Sequence, residues 1–180
     1  MRVVAGRARG TVLKTPEGML TRPTADRVKE AMFSIVQFDL PGAAVLDLFG
    51  GTGQLGIEAI SRGAKNAVFI DSNENACRLI KENLRRAKME KEGSVIKADY
   101  LSYLSGCKEK FNIILLDPPY AEEFLENSLK MITEIDILQS GGIIITERPF
   151  GKDLLVEFSG FSRSKDYKYG NTLVTLFRKI

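Results

Sequence analysis

The chain has 180 residues, a formal net charge of +3, two cysteines and no histidine. That length suits one domain with a real core, and the missing imidazole excludes histidine acid–base catalysis and most zinc sites. No apolar run approaches the roughly 20 residues that a helix needs to span a bilayer.

The charge is uneven. Residues 1–30 carry seven basic side chains (Arg2, Arg7, Arg9, Lys14, Arg22, Arg27, Lys29) against three acids, a balance of +4 that leaves −1 for the rest. A basic extension on a nearly neutral body suits a polyanionic partner such as nucleic acid, and a merely solvated face reads the same way. Within it, VVAGRARGTVLKT alternates weakly around glycines, as in a short twisted hairpin or extended arm over residues 1–23. MRVVAGRARG lacks the apolar stretch of a secretory signal. Cys77 and Cys107 form no disulfide framework, so a cytoplasmic protein is expected.

Thr24 is placed to cap a helix running to about Phe38, with Val28, Met32, Ile35 and Val36 on one face. Regular alternation follows. Strands are expected at AAVLDLF (43–49), NAVFIDS (66–72), SVIKAD (94–99), FNIILLD (111–117) and GGIIITE (141–147), separated by helices. The helix beginning NENACRLIKENL takes Asn73 or Ser72 as its cap. Apolar runs of this kind are strands covered on both faces, which indicates a doubly wound, mostly parallel α/β sheet. FSRSKDYKYG and NTLVTLFRK, joined at Gly170-Asn171, read as a terminal antiparallel hairpin and bring the sheet to seven strands. The whole chain, 1–180, is expected to be a single domain.

DLFGGTGQLG (47–56) falls where the first strand turns into a helix, and Gly51, Gly53 and Gly56 satisfy G-x-G-x-x-G. That motif alone is weak. It suits a dinucleotide pyrophosphate at a helix N-terminus. It equally suits an amino-acid moiety, such as that of S-adenosylmethionine, held by Asp47 and the bare backbone of the turn. Asp71 and Asp99 end the next two strands. An acid after the second strand can accept from ribose hydroxyls, and one after the third from an adenine amine. Each acid alone is more often an ordinary helix cap. Three in succession beside a glycine turn favour a nucleoside-type cofactor, because open α/β sheets bind ligands at these strand ends.

Asp117 ends the fourth strand and opens D-P-P-Y (117–120). The prolines stiffen an extended turn that pins the Pro118 carbonyl and Tyr120; a helix start with an early proline competes with this reading. Chemically, a nitrogen conjugated to a purine is a poor nucleophile. A carboxylate and a carbonyl accepting from it localise its lone pair and stabilise the developing positive charge. Tyr120 offers a face on which an extruded base stacks. Guanine presents N1–H and N2–H₂ side by side, which a carboxylate with two acceptors complements. Some DNA adenine methyltransferases also carry an aspartate here, so the base stays open on this argument.

RVVAGRARG, LTRPTADRVKEAMFSI (20–35), DLFGGTGQLGIEAISRGA (47–64) and DPPY together make the chain resemble the RsmD family, nearly end to end. That family methylates the exocyclic N2 of a guanine in bacterial small-subunit (16S) ribosomal RNA. The resemblance implies a class I, Rossmann-like methyltransferase fold with S-adenosyl-L-methionine as donor. Asp47, Phe49, Gly50, Gly51 and Gly53 would flank its methionine portion, with Arg22, Pro23 and Thr24 close by. Asp71 would hold the ribose, Ala98 and Asp99 the adenine, and Asp117, Pro118, Pro119 and Tyr120 the target base. On the basic charge of the N-terminal segment, Arg7, Arg9 and Arg22 are expected to contact RNA, and no metal or membrane is expected. Gln54 departs from the small residue common in relatives.

Three rival readings remain. A DNA adenine-N6 methyltransferase normally needs a target-recognition insertion, which has no room here. A nicotinamide-dependent Rossmann enzyme leaves D-P-P-Y and the terminal hairpin unexplained. A non-catalytic RNA-binding module leaves the cofactor crevice without purpose.

Overall fold

The computed structural model describes residues 1–16, 23–119, 122–151, 154 and 158–180. The elements are α1 (Pro23–Ile35), β1 (Ala44–Asp47), α2 (Gln54–Ser61), β2 (Asn66–Asp71), α3 (Glu74–Arg86), β3 (Gly93–Lys97), α4 (Tyr100–Gly106), β4 (Phe111–Leu116), α5 (Glu122–Ile135), β5 (Leu138–Pro149), β6 (Phe161–Arg163), β7 (Tyr167–Tyr169) and β8 (Thr172–Lys179). They build one sheet of order β3-β2-β1-β4-β5-β8-β6, with β7 also on β8. The first five positions are parallel, and β8 runs antiparallel against β5.

The doubly wound sheet and its antiparallel end are as expected, but the described residues form eight strands rather than seven. β6 and β7 lie in line along the same edge of β8. Five residues from Arg163 to Tyr167 oppose four from Phe177 to Val174, so one extra residue interrupts the ladder as a bulge. Asp166 sits in that bulge and accepts from Arg148 Nη2 at 2.6 Å and from Thr175 Oγ1.

Strand alternation divides the core in two. Val45, Ile113, Leu115, Ile143 and Ile145 face α1, α2 and α3, whereas Leu46, Ile114, Leu116 and Ile144 face α4 and α5. α1 begins at Pro23, so Thr24 lies inside its first turn rather than capping it, and Pro takes the first helical position where its missing N–H costs nothing. Asn73 caps α3, its Oδ1 accepting from the Asn75 and Ala76 amides. Among the described residues, no helix is long and apolar enough to cross a membrane.

The N-terminal segment is a hairpin closed by the Arg2–Val12 bridge, but it is not a free arm. Val3 and Leu13 enter the core. The Val4 and Ala5 amides donate to the two carboxylate oxygens of Glu58 at 2.8 and 2.9 Å, and Ala8 N donates to Ser61 Oγ. Gly6, at φ +80°, passes so close to α2 that a Cβ there would stand 1.9 Å from the Ser61 carbonyl oxygen. The hairpin is therefore a wall of the molecule.

Candidate active site

At the carboxyl ends of β1 and β4 the loops open a cavity of about 680 Å³. Asp47, Phe49, Gly50, Gly51 and Asp117 line one side, and Asn73, Ala76, Arg78 and Glu82 of α3 another. The outgoing leg of the hairpin, Lys14 to Pro16, closes a third side together with Met1. Cavities of this size hold nucleoside-sized ligands.

The glycine turn is built by the backbone. Gly50 N donates to the Ile70 carbonyl at 2.8 Å, Gly53 N to the Gly50 carbonyl, and Gly53 serves as the left-handed N-cap of α2. Gly56 lets α2 lie against β2, for a Cβ there would meet the Phe69 ring at 2.2 Å. Its amide donates to Asp47 Oδ2 at 3.0 Å. Asp47 is 1% exposed, and its other oxygen, Oδ1, is buried without a partner among the described residues. Burial raises its carboxyl to about 7, opposed by the Gly56 N–H and reinforced by the charges of Asp117 and Asp71. Gln54 Oε1, also on the cavity wall, is likewise buried and unpartnered among these residues. Two unpartnered acceptors on residues that line one cavity suit an ammonium group.

Of the residues singled out in the sequence, Asp47, Phe49, Gly50, Gly51 and Asp117 come together here. Gly53 stands just behind, as the α2 cap. Asp71 braces the turn, Oδ2 accepting from Gly51 N at 2.9 Å and Oδ1 from Asn73 N at 2.8 Å. Asp99 caps α4 through the amides of Leu101 and Ser102, with Ala98 joined to the Asp71 carbonyl. Neither Asp71 nor Ala98 nor Asp99 lines the cavity itself. Pro118 is half-buried and Pro119 exposed. Arg22 and Tyr120 lie outside the described residues, and of Thr24 only the helical backbone is described. Arg9 is exposed on the hairpin, whereas Arg7 pairs with Glu92 at 2.5 Å.

Three contributors escaped the sequence reading. Asn83 is fully buried; its amide donates to the carbonyls of Lys14 and Thr52 and accepts from Lys14 N, stitching the hairpin to the glycine turn. A lone amide on the apolar face of α3, between Ile80 and Leu84, was the available signal. Tyr100 and Phe124 form an aromatic cluster with Phe49, with centroids 5.3 to 6.2 Å apart. Glu147, the third, does not line the cavity and stands on β5 one position beyond the Leu116–Thr146 pair, next to Asp117. Among the described residues no cluster of three or more Cys, Asp or Glu side chains could hold a metal.

The sheet order and the site at its carboxyl edge define a class I S-adenosylmethionine-dependent methyltransferase. A family model described as "Conserved hypothetical protein 95" matches residues 1–178. The chain belongs to that family, the RsmD family. The Bacillus subtilis protein YlbH is 35% identical over 182 residues, 99% of each chain. Ribosomal RNA small subunit methyltransferase D of Haemophilus influenzae is 32% identical over 158 residues, covering 86% of this chain and 82% of its own. Among solved structures, Escherichia coli yhhF superposes with a TM-score of 0.89 at 28% identity, over 99% and 97% of the two chains. An RNA methyltransferase of Salinibacter ruber in complex with S-adenosyl-L-homocysteine shares the fold at a TM-score of 0.68 and 13% identity, over 89% and 94% of the chains.

Proposed function

We propose that this chain transfers a methyl group from S-adenosyl-L-methionine to the exocyclic N2 of a guanine in small-subunit (16S) ribosomal RNA, presented in an assembled or assembling small subunit. The observation that carries the reading is the meeting of Asp117 with Asp47 and the glycine turn in one cavity. The relatives named for ribosomal RNA methylation support the substrate class.

When bound, the donor supplies an electrophilic methyl on a positively charged sulfonium. Asp47 Oδ1 and Gln54 Oε1 would accept from its ammonium, and the side-chain-free Gly50–Gly51 backbone would let its carboxylate approach. Asp71 and Asp99 stand at the strand ends that face ribose and adenine. Asp117 and the Pro118 carbonyl would accept from the guanine amine, raising electron density on N2 as its bond to methyl forms and the sulfur–methyl bond breaks to leave a neutral thioether, the proton from N2 then passing to solvent. Positioning of the two substrates supplies the remainder, and no strong base is required, because the alkylated nitrogen is acidic. Offering labelled donor to ribosomal RNA, small subunits and DNA, with nucleoside mass spectrometry of the products, tests the reading. N2-methylguanosine supports it, and N6-methyladenine as sole product overturns it.

Asp47 gives this reading a pH signature. A cation beside it favours the ionised form, so donor binding expels a proton at and below about pH 7. Affinity is flat above that value and falls about tenfold per pH unit well below it. Calorimetry in buffers of different ionisation heat should show the proton release, and Asp47→Asn should abolish it. The same variant should bind S-adenosylhomocysteine about 10- to 100-fold more weakly, the loss expected when a hydrogen bond to a charged group is removed. Methylthioadenosine, which lacks the amino-acid moiety, should bind it unchanged.

For RNA we assign phosphate contacts to Arg7, Arg9 and Arg22. Arg7→Ala/Arg9→Ala should weaken subunit binding and flatten its dependence on salt by about one to two units of the log–log slope. Donor affinity should hold in that variant. Its collapse would mean that these arginines act only through the hairpin wall of the cavity.

A further inference from the structure

Glu147 lies one rung beyond the Leu116–Thr146 pair, so the parallel register sets it beside Asp117 across the β4–β5 seam. Both side chains take the face that carries Leu115 and Ile145, and Asp47 on β1 takes it too. Three carboxylates thus share one edge of one face.

Among the described residues, no cation stands against Glu147. On β8 its partner is Val174, against which β7 sets Tyr167. α1, which abuts β7, holds Asp26 and Lys29 in pairs with Arg2 and Glu58. Arg148 takes the opposite face and pairs with Asp166 at 2.6 Å. Two half-buried carboxylates side by side resist ionising together, and such a pair retains one proton near neutrality. Glu147 is the member raised further, to about 8, by burial and then by the Asp117 charge; burial raises Asp117 to about 6. The pair therefore keeps one proton near neutrality.

A carboxylic acid beside a carboxylate offers one donor next to two acceptors. The pairing edge of guanine offers the complement: O6 accepts, while N1–H and N2–H₂ donate. Adenine would set its N1 lone pair against an acceptor. We propose that Glu147 is a specificity-determining residue of the base site, donating its proton in a hydrogen bond to guanine O6 while Asp117 accepts from N1–H and N2–H. The assignment rests on the guanine reading above and extends it to a residue on the neighbouring strand.

Glu147→Gln keeps a donor that does not titrate, at nearly equal volume. With small subunits as substrate, wild-type kcat/KM should fall above about pH 8, by about tenfold per unit, as Glu147 loses its proton. In Glu147→Gln this alkaline limb should disappear, with activity at neutral pH within about tenfold of wild type, whereas Glu147→Ala should raise KM at every pH. A Glu147→Gln profile that keeps the wild-type limb overturns the proposal, and so does a Glu147→Gln protein that binds donor normally but transfers no methyl. Infrared difference spectra between wild type and Glu147→Gln at neutral pH read the proton without any RNA. A protonated-carboxyl band lost in the variant supports the proposal, and its absence overturns the proposal while leaving N2-methylguanosine formation intact. A wild-type enzyme that makes no N2-methylguanosine overturns the guanine reading instead, and with it the use assigned to this proton.

Discussion

Asp117→Ala should lower single-turnover methyl transfer about 100- to 1,000-fold, the range seen when one preorganised polar group at a reacting centre is removed. S-adenosylhomocysteine should bind that variant as well as wild type, or slightly more tightly near neutral pH. The reason is electrostatic: the Asp117 charge is among the causes that hold Asp47 at about 7. Removing it makes Asp47 more acidic and better suited to an ammonium. The same deletion releases Glu147 from its like-charged neighbour, and its carboxyl should titrate lower. Asp117→Asn is a milder lesion, since the amide carbonyl still accepts from N2–H while its NH₂ opposes N1–H. Calorimetry alongside rapid-quench transfer separates the two effects. Undiminished transfer by Asp117→Ala would remove the catalytic role assigned here.

What the sequence revealed and what it hid follow one physical division. β1 to β4 were legible because each is a short apolar run ending in an acid or a turn, a pattern written in consecutive residues. The acids at those four strand ends, Asp47, Asp71, Asp99 and Asp117, were visible for the same reason. Glu147 follows the same rule at the fifth strand and was passed over because no second feature, glycine turn or proline pair, adjoins it. Pairing between distant segments was hidden. Nothing local shows that Asp166 will sit in a bulge against Thr175 and Arg148, so one edge strand became two in line. Nor does local pattern show that VVAGRARG will dock on α2. Its only trace is Glu58 in the middle of the otherwise apolar LGIEAIS, where a fully buried acid implies partners from elsewhere.

Glu58→Ala is expected to have the largest effect on stability of any single change in the chain. Its carboxylate accepts from Val4 N, Ala5 N and Arg62 Nε at 2.8 to 2.9 Å and stands 3.7 Å from Lys29 Nζ. Lys29, only 1% exposed, reaches on to the Arg2 carbonyl at 2.6 Å. Deleting the acid leaves two hairpin amides without their acceptor and a buried ammonium without its nearest fully buried counter-charge. Breaking a buried pair in this way costs about 3–5 kcal/mol. For a chain of this size that lowers the thermal midpoint by roughly 6 to 20 °C. Lys29 supplies a sign that distinguishes this account from simple loss of packing. Burial already holds its ammonium below the usual lysine range, opposed by Glu58 and Asp26. Without Glu58 it titrates lower still, so the folded state binds fewer protons than the unfolded one. Stability of the variant should then recover as pH rises from its lowered pKa toward the ordinary lysine range. Lys29→Met in the Glu58→Ala background should restore part of the loss at neutral pH and remove that recovery. Donor affinity should fall with Glu58→Ala as well, because Met1 and the Lys14–Pro16 leg that wall the cavity are carried by the same hairpin. Equal melting of variant and wild type would show that the hairpin is held by Val3 and Leu13 alone.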